Sequence, residues 1–108
     1  MKNEIKSEQL RIKAETEFNS SISAELAKLT HEELIDLSEH ISIIKAVKRY
    51  LCESSVSEEY TDKLLTFDKP ITAVAKQIEN TGGESWSDET IEAAIYEITD
   101  KDLQEDEI

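Results

Sequence analysis

Glycine and proline are scarce in this chain, with two glycines and one proline among 108 residues. Average proteins use about 7% glycine and about 5% proline. Sheet proteins need many tight turns, and those turns draw heavily on Gly, Pro, Asn and Asp. The composition therefore predicts long helices joined by connections that contain Ser, Thr and Asp.

Apolar residues recur at three- and four-residue steps in five segments, which is the pattern of amphipathic helices. The segments span residues 3–28, 30–53, 57–66, 70–80 and 87–99. A chain of 108 residues is long enough for one domain. We therefore expect an all-α fold, a compact bundle of about five helices. A single helical domain over residues 1–99 would be followed by a charged, flexible acidic tail over residues 100–108.

Polar residues mark where several of these helices begin or bend. Thr30 and Glu33 have the spacing of a capping box, and Pro70 suits a first helical turn. Ser87 is a typical cap for the last segment. The weak helix formers at residues 19–21 predict a kink or break in the first helix.

The segment over residues 30–53 has the widest apolar face. Leu34, Leu37 and Ile41 follow the helical spacing, and Ile35 widens the face. We expect this helix to be the central and most buried one.

The acidic residues are concentrated at the C-terminal end. The chain has 25 Asp and Glu and 12 Lys and Arg, a net charge of −13. Residues 1–28 hold five acids and five bases, whereas residues 82–108 hold ten acids and one base. The acids of the last helix lie off its apolar face, so the sequence predicts an acidic, solvent-facing patch that continues into the tail.

Two interpretations of this patch stay open: it increases solubility, or it binds a basic partner surface by imitating phosphates. Trp86 is either a hydrophobic staple at the start of the last helix or an interface residue. The candidate partner-binding residues are Glu84, Trp86, Asp88, Glu89, Glu92, Asp100 and Asp102.

Motifs of catalysis and of metal binding are absent from the sequence. It has no Gly-rich phosphate loop, no paired zinc-ligand spacing and no nucleophile elbow. Asp36 and His40 stand one helical turn apart and form the nearest candidate for a metal site or a base and its orienting residue. The single Cys52 suits a small core residue better than a nucleophile. We expect no enzymatic activity, no cofactor and no metal.

The only local basic cluster comprises Lys45, Lys48 and Arg49. Its simplest role is to complement a helix C-terminus and to pair with neighbouring acids. A DNA-contacting helix is the other interpretation, although the excess of acids disfavours direct binding to nucleic acid.

Neither a membrane span nor a secretory signal is expected. No run of about 18 apolar residues occurs, and charged residues from Lys2 to Glu8 occupy the place of a signal peptide's apolar core. We expect a cytoplasmic protein.

Four parts of the chain have patterns that are also found in other proteins: residues 29–35, the Leu64–Leu65 pair, the segment from Pro70 to Val74, and residues 90–92. In these patterns the chain resembles small helical proteins of unknown function carried on integrative mobile elements of gut Firmicutes, over about residues 15–99. The resemblance supplies no catalytic or binding residues. It implies a bacterial cytosol and mobile DNA, where small acidic inhibitors of CRISPR or restriction nucleases are familiar.

Together these features predict a non-enzymatic acidic binding protein. Its C-terminal helix would act as a nucleic-acid mimic toward a protein with a basic surface, such as a nucleic-acid-binding nuclease. The alternative is a helical adaptor or dimerisation module that uses exposed residues such as Trp86 or Tyr50. A third possibility is a DNA-binding accessory that uses the Lys45 cluster. The oligomeric state stays open.

Overall fold

The computed structural model describes residues 2–53, 56–81 and 87–108. Across these ranges the chain is helical and contains no strand, so the expected all-α fold is confirmed. Two of the predicted segments are subdivided, so the expected number of about five helices is not confirmed. The elements are α1 (Lys2–Thr16), a π-helix (Glu17–Ile22), α2 (Ser23–Ala27), α3 (His31–Asp36), α4 (Ser38–Glu53), α5 (Glu58–Leu65), α6 (Pro70–Asn80), α7 (Asp88–Asp100) and a short 3-10 helix (Glu105–Glu107).

One core joins the longer helices. Helix α1 packs against α4 and α5, and α6 packs against α4 and α7. Each of these helices contributes at least one fully buried apolar side chain: Leu10, Val47, Leu64, Val74 and Ile95. Within the described ranges, no helix has both the length and the apolarity needed to cross a membrane.

The first predicted helix is not broken, but its hydrogen-bonding pattern changes in the middle. Helical structure continues from Lys2 to Ala27, but the weak helix formers at residues 19–21 lie inside a π-helix. The Ser20 hydroxyl donates a hydrogen bond to the Thr16 carbonyl. Such a hydroxyl competes with backbone amides for carbonyl oxygens and loosens the regular ladder.

The second predicted helix is divided, and our expectation for its first part is wrong. The capping box is present: the Glu33 amide donates to Thr30 Oγ1 at 3.2 Å, and the Thr30 amide donates to Glu33 Oε1 at 3.1 Å. However, α3 ends at Asp36, and Leu37 turns the chain with φ −99° and ψ 12°. Ile35 and Leu37 are 59% and 40% exposed. The turn at Leu37 separates the apolar spacing of α3 from that of α4, so the two do not form one buried face.

The first turn of α6 is capped by a residue that is distant in the sequence. Pro70 occupies the first turn as predicted, but the N-cap Lys69 makes no side-chain cap. Instead, the buried carboxylate of Glu17 accepts the amides of Ile71 at 2.8 Å and Thr72 at 3.0 Å. It also accepts the Thr72 hydroxyl at 2.6 Å. Glu17 therefore joins the π-helix to α6.

Helix α7 ends in a Schellman motif. The Leu103 amide donates to the Ile98 carbonyl at 3.0 Å, and Asp102 takes the left-handed conformation with φ 48°. Asp tolerates this region better than most residues other than Gly and Asn. Lys63 Nζ lies 2.8 Å from Asp102 Oδ1. The turn directs the tail back along the body.

Residues beyond this turn contact the body of the protein. Glu105 accepts the backbone amides of Asp68 at 3.0 Å and Lys69 at 2.8 Å. Leu103 and Ile108 are half-buried against the core. The expected flexible C-terminal end is therefore not confirmed, because backbone, charged and apolar contacts all hold it.

Candidate functional site

Helix α7 has one apolar face that packs on the body of the protein. Its neighbours are α6 and α5. Four residues of this face are buried, as the helical spacing predicts: Ile91, Ala94, Ile95 and Ile98. The packing fixes which side of α7 faces solvent.

The opposite side of α7 is exposed and acidic. We use the name α7 face for its exposed residues together with the half-buried Tyr60 of α5. The α7 residues are Glu89, Glu92, Ala93, Tyr96 and Asp100. A shallow groove of about 450 Å³ runs along this face, and Glu97 completes its lining.

Two tyrosines form the aromatic part of the groove. The ring centroids of Tyr60 and Tyr96 are 6.5 Å apart, and the ring planes make an angle of 80°. This edge-to-face arrangement is favourable for aromatic pairs. Tyr96 nevertheless stays 54% exposed. The pair therefore leaves much of one large ring open to solvent.

Carboxylates surround the tyrosines on this side of the molecule. Burial raises the pKa of Tyr60, and the charges of Glu59 and Glu92 raise it further. Burial also raises the pKa of Tyr50 in α4, with Glu92 again contributing. A negative neighbour disfavours the phenolate, so Glu92 adds to the effect of burial on the pKa of both tyrosines.

Neutralising Glu92 should lower the pKa of both Tyr50 and Tyr60. In Glu92→Gln the phenolates lose one repulsive neighbour, so each tyrosine should ionise at lower pH than in the unchanged protein. Carbon-13 NMR titration of labelled tyrosine rings measures this directly. Glu39→Gln in α4 is the control and should leave both titrations unchanged. Identical titrations in the two variants would contradict the influence of Glu92 on the two tyrosines.

Three of the predicted partner-binding residues lie together on the α7 face: Glu89, Glu92 and Asp100. Asp88 lies at the start of α7, with its Oδ1 3.8 Å from Arg49 Nη2. Asp102 lies in the turn after α7 and pairs with Lys63. Glu84 and Trp86 lie outside the described residues, so both interpretations of Trp86 stay open.

Sequence reasoning missed the aromatic part of the face. Tyr60, which the sequence did not single out as a candidate site residue, is half-buried beside Tyr96. The signal for Tyr96 was present, because it follows Glu92 by four residues and Glu89 by seven. That spacing places the three on one side of a helix.

The basic cluster of α4 lines a different groove, of about 490 Å³. Lys48 Nζ lies 5.3 Å from the centroid of the Phe18 ring, a cation–π contact. Arg49 approaches Asp88, whereas Lys45 is exposed. Two of the three bases thus have contacts within the protein, which agrees with the structural interpretation of the cluster.

Cys52 is half-buried at the edge of the core and lines the same groove. Burial raises the pKa of its thiol. A raised pKa reduces the fraction of reactive thiolate at neutral pH. The position and the pKa both fit a small packing residue.

The predicted pair of Asp36 and His40 is not formed as expected. The two residues lie on different helices, separated by the turn at Leu37. His40 Nδ1 instead contacts Glu79 Oε1 of α6. Among the described residues, no group of three or more His, Cys, Asp or Glu side chains is arranged to hold a metal ion.

Comparison with known proteins gives no relative from which a role for the α7 face could be transferred. What this face does is therefore inferred from its own chemistry. No protein-family model matches the chain, and no curated protein or solved structure matches it at a significant level.

Proposed function

We propose that this protein is a non-enzymatic binding protein whose α7 face engages the basic surface of a protein that handles nucleic acids. One observation carries the proposal. Glu89, Glu92 and Asp100 are exposed on one side of a packed helix, and they make no hydrogen bond or ion pair with any residue that the structure describes. Their charges are therefore available to a partner.

The carboxylates of the α7 face stand on a packed and capped helix, which supports a binding role for this face. Four buried residues fix the rotation of α7. The Ser87 hydroxyl accepts the Thr90 amide at 3.4 Å at its start, and the Schellman motif at Asp102 closes its end. Carboxylates held in place lose less conformational entropy on binding than those of a disordered chain.

The charge pattern favours a partner that binds phosphates. Side chains three or four residues apart on a helix are neighbours, about 5–6 Å apart at Cβ. Glu89 and Glu92 are neighbours of this kind, and Asp100 follows Glu92 by eight residues, about two turns further along α7. Exposed carboxylates on a strongly acidic protein steer basic surfaces toward it and raise the association rate. A mobile-element inhibitor of a CRISPR or restriction nuclease is the specific form of this proposal that fits the sequence resemblance.

Neutralising the three carboxylates should abolish partner capture. The test variant is Glu89→Gln, Glu92→Gln and Asp100→Asn, which keeps side-chain size and removes three negative charges. Immobilised protein is incubated with bacterial lysate at low salt, and captured proteins are quantified by mass spectrometry. We expect the captured proteins to bind duplex DNA. They should be displaced by added duplex DNA and should elute as the salt concentration rises.

The matched control is Glu32→Gln, Asp36→Asn and Glu39→Gln. These residues are also exposed but lie on α3 and α4, and the change in net charge is the same. The control should capture the same proteins as the unchanged chain. Equal capture by both triple variants, or capture that is indifferent to salt and DNA, would show that the α7 face is not the binding surface.

The alternative adaptor function is favoured by a different observation. Ile5 and Ile12 of α1 are 62% and 52% exposed, and both lie on the outer side of that helix. An adaptor that used them would lose partners on Ile5→Ser and Ile12→Ser and would keep them at high salt. The same lysate experiment therefore separates the two functions.

A further inference from the structure

We infer that the groove of the α7 face binds an arginine side chain of the partner, with the guanidinium against the Tyr96 ring and between the carboxylates of Glu89 and Glu92. This inference rests on the proposed function and specifies the chemical feature that the partner must carry. The exposed aromatic ring of the groove carries the inference, because carboxylates alone do not distinguish one cation from another.

The Tyr96 ring is exposed to solvent, although α7 also has a buried face. It is 54% exposed, while the adjacent Ile95 is fully buried. The contact with Tyr60, with ring centroids 6.5 Å apart, holds the ring on one side. Ala93 has a small side chain and lines the same groove. The result is an ordered aromatic surface beside a recess.

The dimensions and charges of the groove suit one long side chain. Its volume of about 450 Å³ leaves room for one such side chain to lie along the surface of α7. Glu89 and Glu92 line it, and their carboxylates are unpaired among the described residues. Glu97 differs, because Oε2 of its carboxylate accepts the Gln77 amide at 2.7 Å. Two available carboxylates and an aromatic ring are thus present in one recess.

Arginine suits this recess better than lysine for a physical reason. The guanidinium is planar, stacks on aromatic rings and donates parallel hydrogen bonds to carboxylates. It is also more weakly hydrated than an ammonium, so its approach to a ring requires less desolvation. Cation–π contacts in proteins accordingly involve Arg more often than Lys.

The test compares two peptides of equal charge, hexa-arginine and hexa-lysine with blocked ends, by titration calorimetry at low salt. The unchanged chain should bind hexa-arginine about three- to tenfold more tightly than hexa-lysine. Tyr96→Ala should reduce this ratio to about one, while Tyr96→Phe, which keeps the ring, should preserve it. Ile12→Ala is the control for loss of an exposed apolar side chain and should also preserve the ratio.

The triple variant of Glu89, Glu92 and Asp100 separates this inference from the proposed function. That variant should bind both peptides more weakly than the unchanged chain does, whereas the triple variant of α3 and α4 should bind them as the unchanged chain does. If the unchanged chain binds both peptides equally, or if Tyr96→Ala keeps the ratio of affinities, the inference of an arginine site is wrong. The proposed acidic binding face would not be contradicted by that result. Equal binding by the two triple variants would overturn both.

Discussion

Glu17→Ala should lower the free energy of unfolding by about 3 kcal/mol, which is a large loss for a single residue outside the apolar core. Glu17 is only 5% exposed, and its carboxylate accepts two backbone amides and one hydroxyl of α6. Alanine leaves these donors without a partner and leaves a space where the side chain was. Urea unfolding followed by circular dichroism measures the change.

Three further variants divide this effect into its parts. Glu17→Gln keeps one acceptor oxygen and should cost about 1–2 kcal/mol, and Thr72→Val removes only the hydroxyl bond and should cost about 1 kcal/mol. The control is Glu15→Ala, which breaks the exposed ion pair between Glu15 and Arg11. Such pairs contribute little, so we expect a loss below about 1 kcal/mol. A loss for Glu17→Ala as small as that of Glu15→Ala would contradict a capping role.

Ile95→Ala should also lower the free energy of unfolding by about 3 kcal/mol, since a fully buried side chain is replaced by a cavity. The neighbouring Tyr96 lies on the opposite side of α7, half-exposed. Tyr96→Ala loses part of the contact with Tyr60 and should cost no more than about 1 kcal/mol. Urea unfolding of both variants measures the difference.

The two adjacent residues should therefore separate stability from binding. Ile95→Val, which removes one methylene, should cost about 1 kcal/mol and leave the preference for hexa-arginine unchanged. Tyr96→Ala should remove that preference while the protein stays folded. Comparable losses of stability for Ile95→Ala and Tyr96→Ala would show that α7 is rotated from the position described here.

The amino-acid sequence by itself determined the fold class and most of the helix faces. Scarcity of Gly and Pro indicated helices, and the spacing from Ile91 to Ile98 identified the buried side of α7. The cap at Thr30 and Glu33 followed from two residues three positions apart. These features depend on interactions within one or two helical turns, so the local sequence specifies them.

Only the tertiary structure decided which polar groups are used in contacts within the protein and which are left for a partner. Glu17 and Thr72 are 55 positions apart, and nothing in their local sequence marks one as the cap of the other. Glu105 and Lys69 are separated by 36 positions in the same way. The turn at Leu37 similarly exposed a part of the apolar pattern that the sequence assigned to the core.

The α7 face combines both kinds of information. The sequence placed Glu89 and Glu92 on the solvent side of α7, because helical periodicity fixes which residues share a side. Tyr60 is part of this face because α5 packs beside α7, which the local sequence does not specify. The crossing of two helices depends on the shapes of all the side chains between them, so the groove exists in the folded chain alone.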